Sequence, residues 1–389
     1  MIRLPIRSLI AIFGCLSGAA CMGGGSTAVG PAPNAGTPAP NAAASSAATA
    51  SPAPKGAPSA SLSPAPATPA GSASPAPSPA PSGTVTYTPV DVAGPALDVP
   101  AAALAASLYC PSSIANATQP VILLVPGTDT IPSVDYDWDY ELAFTENHMP
   151  WCAVTLPYSA TGDIQTAGEY LVNAIRTMYA TSGRKLHVLG WSQGGMVPRW
   201  ALRFWPDTRN MIDDLVSLDA SNHGTIDSEL SNSQAPADWQ QAANAHFIAA
   251  LNSYTETFAG INYTQIFSYD DEIVVPNSAV DSSSSLSVGP GKIANVAVQQ
   301  ICPNDTSDHL AMGTYDAVGY ALAIDAFAKG IAATADIPLT VCAETYQPAV
   351  VPAQFPANYS AFLQYTTSDE NHAPSTSAEP TAAPYVYTQ

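Results

Sequence analysis

Residues 186–205, LHVLGWSQGGMVPRWALRFW, restrict the fold of this chain more than any other stretch. The largely apolar residues 186–189 suit a strand buried on both faces, and a helix-like run begins near Gly194. Only Trp191, Ser192 and Gln193 remain to turn the chain between them. Gly190, Gly194 and Gly195 have no Cβ, so the chain can reverse closely and hold Ser192 in a strained conformation with its hydroxyl projecting outward. This pattern is the G-x-S-x-G nucleophile elbow. A chemically silent Gly-Ser turn shows the same letters, but the strand before and the helix after favour the elbow.

The surrounding sequence alternates strand and helix, which calls for a mostly parallel central sheet with helices on both faces. Residues 121–125, VILLV, form a continuous apolar strand. Residues 166–183, TAGEYLVNAIRTMYATSG, read as a helix. Thr166 and Glu169 make a capping box, Leu171, Ile175 and Met178 line one face, and Gly183 ends it. A further strand, 215–218, follows the elbow helix. TQIFSYDDEIVVP reads as a strand, an acidic turn and a β-branched run, and DHLAMGTYDAVGYALAIDAFAKG puts His309 at the mouth of a final helix, with Leu322, Ala326 and Phe327 on its buried side.

The two ends of the chain do not share this pattern. Residues 1–21 carry Arg3 and Arg7 ahead of an apolar run, the form of an export signal and too short to span a membrane as a mature helix. Cleavage after Ala20 would leave Cys21 first, as in a lipidated bacterial protein, although Gly18 stands where such signals usually have Leu. Secretion and anchoring through a lipidated Cys21 both stay open. Residues 22–84 are repeats such as SPAPSPAPS with almost no large apolar side chains, so they read as a disordered, semi-rigid tether. Residues 348–389 are again rich in Pro, Ser and Thr and read as a low-complexity tail, with Phe355, Tyr359 and Phe362 able to dock locally. That leaves 85–347, a length suited to one catalytic domain.

The excess of 31 acidic over 11 basic side chains, a formal charge of -20, argues against nucleic acid or anionic lipid as a target. A monomer is expected. Export makes disulfides the default for the four domain cysteines Cys110, Cys152, Cys302 and Cys342. Three connectivities are open; the local one closes spans of 42 and 40 positions, each stabilising by at most about 4 kcal/mol. A zinc site is the alternative use of four thiols, disfavoured because no close C-x-x-C pair exists.

An activated serine needs a base to take its proton and a carboxylate to orient that base. In the α/β-hydrolase fold these follow in the order serine, acid, histidine. His148 and His187 precede Ser192, His223 and His246 precede the acidic strand end, and His372 lies in the tail, so His309 is the base. Of Asp270, Asp271 and Glu272, Asp271 is preferred as the acid, because D-x-I-V just past a strand is the commoner layout. Such a triad needs no metal or organic cofactor.

LVPGTDT, WSQGG, SYDDEIV and DH, in this order and with these four cysteines, resemble the fungal lipase B family over about residues 100–345. The resemblance implies a single α/β-hydrolase domain and hydrolysis of carboxylic esters, including acylglycerols, with a lipophilic ester as substrate. It implies Ser192 as nucleophile, Asp271 as acid and His309 as base, with Thr128 and Gln193 at the oxyanion hole. Trp191 and Thr130 fall in the substrate pocket, and the local disulfide pairing is implied. This sequence departs from the family at Asp129, where the family has glycine. The Asp129 side chain is expected to turn away from the oxyanion and accept N–H groups of its own turn. The family's Ala-Leu-rich overhanging helix and third disulfide are not visible. A catalytically silent surface adhesin and a serine peptidase of the same fold are the alternative functions.

Overall fold

A computed structural model describes residues 86–226, 234–368, 370 and 372–388. The leader 1–21, Cys21 and the tether 22–84 lie outside the described residues. The sheet is built from β1 (Leu108–Tyr109), β2 (Ile122–Val125), β3 (Trp151–Val154), β4 (Leu186–Trp191), β5 (Ile212–Leu218), β6 (Asn262–Phe267) and β7 (Lys292–Ala297). Its order is β1-β3-β2-β4-β5-β6-β7, with β1 antiparallel to β3 and the other pairs parallel. The helices are α1 (Ala101–Ala106), α2 (Pro132–Asp135), α3 (Tyr140–Glu146), α4 (Ile164–Ser182), α5 (Gln193–Phe204), α6 (Pro236–Gln240), α7 (His246–Leu251), α8 (His309–Thr314), α9 (Ala317–Lys329) and α10 (Phe355–Thr366).

Every residue of β2, β3 and β4 is buried, which is why these strands read as unbroken apolar runs: helices cover both faces. One face packs Leu123, Val125 and Val188 with Leu171 and Ile175 of α4 and Val197 and Trp200 of α5. The other packs Leu124, Leu189 and Ile266 with Leu322 and Ala326 of α9 and Phe362 of α10. From β2 the chain steps to β3 on one side, then returns to lay β4 on the other side of β2. The topological switch point therefore lies between β2 and β4, and open α/β sheets place their ligand crevice beyond the carboxyl ends of such strands. Disulfides join Cys110 to Cys152 and Cys302 to Cys342, so these thiols are not zinc ligands.

Several local expectations are corrected. Helix α4 starts two residues before Thr166: Asp163 is its N-cap and accepts the Gln165 N–H at 2.9 Å, so no Thr166–Glu169 box forms. Gly183, at φ 67°, does end it. The run opened by His309 is split into α8 and α9 at Asp316, which caps α9, and α9 is followed by a further helix.

The largest difference is at the carboxyl end, where the folded unit does not stop at 347. Helix α10 buries Phe362 completely, residue 373 donates its N–H to Thr161 Oγ1 at 2.8 Å, and Glu379 accepts the His246 and Phe247 N–H groups at the start of α7. Tyr385 packs on Trp200, Phe204 and Trp205, Val386 is fully buried, and Tyr387 bridges Tyr87 in antiparallel register. Few anchors hold this segment, and they are widely spaced among Pro, Ser, Thr and Ala, so window composition hides them. Phe362→Ala should destabilise the domain by about 3–4 kcal/mol, read from the midpoint of urea unfolding. An unchanged midpoint would mean that α10 docks without supporting the core.

Candidate active site

At the switch point the loop after β2 meets the turn after β4. Ser192 occupies that turn with φ 55°, in the left-handed region, and its backbone N–H is tied to the Leu218 carbonyl at 2.8 Å. A side chain at Gly190 would strike the Gly194 carbonyl, and one at Gly194 would strike the Val125 carbonyl. A Cβ at Gly195 would lie 2.6 Å from that of Ser217. The strain at Ser192 persists because the backbones on either side are in contact. Ser192 also stands at the N-terminus of α5, where unpaired N–H groups and the helix dipole favour negative charge.

His309 opens α8, and its Nδ1 lies 3.0 Å from Asp271 Oδ2 in the loop after β6. Asp271 is 4 % exposed and well served: Oδ1 accepts the N–H groups of Ile273 and Val274, both at 2.8 Å, and Oδ2 accepts Asn277 Nδ2 at 3.1 Å. Asp270 is exposed. Glu272 accepts the His309 backbone N–H at 3.2 Å. Burial alone would lower the His309 pKa, but the Asp271 charge and hydrogen bond, aided by Glu272 and Asp308, outweigh it and raise the imidazole above its ordinary value. With Nδ1 held by Asp271, Nε2 is the ring nitrogen left for proton transfer.

Thr128 lies in the loop after β2. Gln193 Nε2 donates to its hydroxyl at 2.9 Å and to the residue 160 carbonyl at 2.8 Å, while Gln241 Nε2 donates to it at 3.0 Å. A hydroxyl that accepts two N–H groups has its own proton free to point elsewhere. Tyr158, Ser159 and Ala160, at φ 56°, 53° and 62°, form a left-handed run beside this network. Thr130 is fully buried, with its hydroxyl 3.4 Å from the Ile131 carbonyl.

Trp191 packs against the imidazole of His309. It is 2 % exposed, donates its indole N–H to the His309 carbonyl at 3.0 Å, and lies 5.2 Å from the imidazole and 6.0 Å from Phe362 between ring centroids. Here it acts as a wall that fixes His309, covered by α10, and a Cβ on Gly127 would come within 2.6 Å of its ring.

No protein-family model matches the chain. Lipase B of Pseudozyma antarctica is 32% identical over 295 residues, which span 73% of this chain and 84% of that protein. The chain belongs to the lipase B family. The crystal structure of Aspergillus fumigatus lipase B superposes with a TM-score of 0.70 at 28% identity, covering 80% of this chain and 77% of that one. The fold is thus the expected α/β-hydrolase fold.

This lipase B relative also has parts that the sequence reading missed. Gln241 has no motif that marks it. Asp219, at the end of β5, is fully buried near His309; with Asp271 and His309 it forms the metal-ligand-like cluster found among the described residues, and a cation there would displace the Asp271–His309 hydrogen bond. His372, set aside above as part of the tail, lies with Nε2 3.0 Å from Asp129 Oδ1. Asp129 has φ 65° and its side chain turns to that imidazole rather than to its own turn, so the loop after β2 meets the carboxyl-terminal segment.

His372→Ala and Asp129→Ala should each speed amide exchange in residues 127–131, by up to about five-fold for a partly exposed ion pair. The double variant should exchange no faster than either single one. Hydrogen-exchange mass spectrometry on that peptide checks this, and additive increases would show that the two side chains act independently.

Proposed function

We propose that this lipase B family member hydrolyses carboxylic esters of lipophilic acids by two-step acyl transfer. Ser192 Oγ attacks the ester carbonyl as His309 Nε2 takes its proton, and Asp271 holds the imidazole and stabilises its charged form. The Thr128 hydroxyl and the Gln193 backbone N–H receive the developing oxyanion, helped by the α5 dipole. His309 then protonates the leaving alcohol, and water, deprotonated by His309, releases the acid and restores Ser192.

The observation that carries this reading is the 3.0 Å Asp271–His309 hydrogen bond, with His309 packed on Trp191 immediately before the strained Ser192. The orientation of Thr128 adds to it: both its N–H donors are side-chain amides held by further hydrogen bonds, Gln193 to the residue 160 carbonyl and Gln241 from Ser221 Oγ, which donates to its Oε1 at 2.9 Å. The disulfides accord with export. We further propose that residues 1–21 direct export, with the enzyme released or held at the cell surface by an acyl chain on Cys21. A shift of Cys21→Ser from the membrane to the soluble fraction would identify the anchored form.

Ser192→Ala and His309→Ala should each lower turnover of p-nitrophenyl butyrate by on the order of 10⁴-fold or more with the fold intact. Retained activity in His309→Ala would exclude it as the base, and no turnover by the wild-type protein would favour the adhesin. A chain-length series up to emulsified triacylglycerol separates esterase from lipase.

The pH profile follows from His309. Only its neutral form accepts the serine proton, and its pKa is raised, so the charged form persists to higher pH. In the free enzyme, kcat/KM should therefore climb with pH to a midpoint above the ordinary 6.5 and level off beyond it. A midpoint below that value would mean that burial prevails over the acidic neighbours.

A further inference from the structure

Asp219 directly follows β5, next to the strand that carries the elbow, and adopts φ 43°. Its carboxylate is fully buried. Oδ1 accepts the Ser268 N–H at 2.8 Å, whereas Oδ2 has no hydrogen-bond donor and lies 4.0 Å from His309 Nδ1. Asp219, Asp271 and His309 each offer an atom within 4.8 Å of the other two. Two carboxylates thus face one imidazole in a site closed to water, and they are unequally served. Asp271 has three donors besides His309, and Asp219 has one.

We infer that Asp219 carries a proton on Oδ2 and donates it to the Asp271 carboxylate, so that the pair presents one negative charge to His309 and Asp219 acts as a positioning residue for the orienting acid. This rests on the triad reading above.

Like charges at this separation in a buried site cannot both ionise, and the proton goes to the carboxylate with fewer donors. The charged groups that act on Asp219 are Asp271 and Glu272 from the loop after β6, both acidic, with the His309 imidazole 4.0 Å away and Asp308 beside it in sequence. Burial first, and the Asp271 charge second, push the Asp219 carboxyl well above the usual carboxylate range. A neutral Asp219 turns an unserved acceptor into a donor and fills the remaining position on Asp271.

Three variants of the full-length protein test this. Asp219→Asn keeps a donor toward Asp271 but cannot ionise, so the acidic midpoint of kcat/KM should stay within about 0.3 units of wild type. If Asp219 were ionised, the same substitution would remove a charge 4.0 Å from the imidazole, and the midpoint would fall by about one unit or more, overturning the proposal. Asp219→Val, which removes the donor, should lower kcat by about ten-fold or more through a misplaced imidazole. Its acidic midpoint should move upward, because Asp271 loses a partner for its charge. Asp219→Asn should restore most of that kcat, and failure to restore it also overturns the proposal. Infrared spectra at neutral pH need no substrate. The protonated-carboxyl C=O stretch should lose one component in Asp219→Asn relative to wild type, and an unchanged band in Asp219→Asn sinks the assignment even if no ester is turned over. Wild-type turnover with a lowered Asp219→Asn midpoint would leave the triad standing without the shared proton.

Discussion

Gly190 and Gly194 meet backbone to backbone, and Gly194 meets the carbonyl of Val125 on the neighbouring strand. The geometry around Ser192 depends on that contact. It lets α5 begin immediately above the sheet, aims the first free N–H groups of the helix at the switch-point crevice, and fixes Ser192 at positive φ. A methyl group at either glycine would push the helix off the strand and separate Ser192 from the loop that carries Thr128. Around this fixed point the partners arrive from other strands: Asp271 from the end of β6, His309 beyond β7, Thr128 beyond β2. A parallel sheet brings such distant residues together because its carboxyl ends all lie along one edge.

What could be read from the sequence follows the range of each interaction. The elbow was legible because its constraint is local, with strand, turn and helix within 20 residues and glycines where a Cβ cannot fit. His309 was legible because chain order left it as the single eligible histidine. Asp219 and Gln241 were not, since neither has a motif and each matters only through groups tens of residues away, Asp219 toward Asp271 and Gln241 toward Thr128. His372 was set aside because composition marks its surroundings as low complexity, and composition cannot register one imidazole meeting one carboxylate. Trp191 shows the reverse limit. The resemblance places it in the substrate pocket, and its contact with Phe362, in a segment read as a low-complexity tail, could not be seen from the motif.

The electrostatics of the crevice are lopsided. Asp271, Glu272 and Asp308 surround a single imidazole, and the chain as a whole is strongly acidic. Such a setting stabilises the imidazolium that forms when the serine proton leaves, and it also makes the resting base harder to keep neutral. Two devices limit the second effect. Burial acts on His309 against the charged form, and backbone N–H groups from Ile273 and Val274 disperse the charge on Asp271.

The bridge between Tyr87 and Tyr387 brings the first and last described parts of the chain side by side, next to Phe204 and Trp205 at the far end of α5. Twelve residues of helix separate that corner from Ser192, roughly 18 Å at the rise of an α-helix. A pull on residue 86 would enter the domain at this corner and be shared at once with the carboxyl-terminal segment through the Thr88 N–H to Val386 carbonyl and Thr388 N–H to Thr86 carbonyl bonds. A mechanical load on the amino-terminal edge of the described residues is thus carried by a clasp of two paired segments, a helix length away from the elbow.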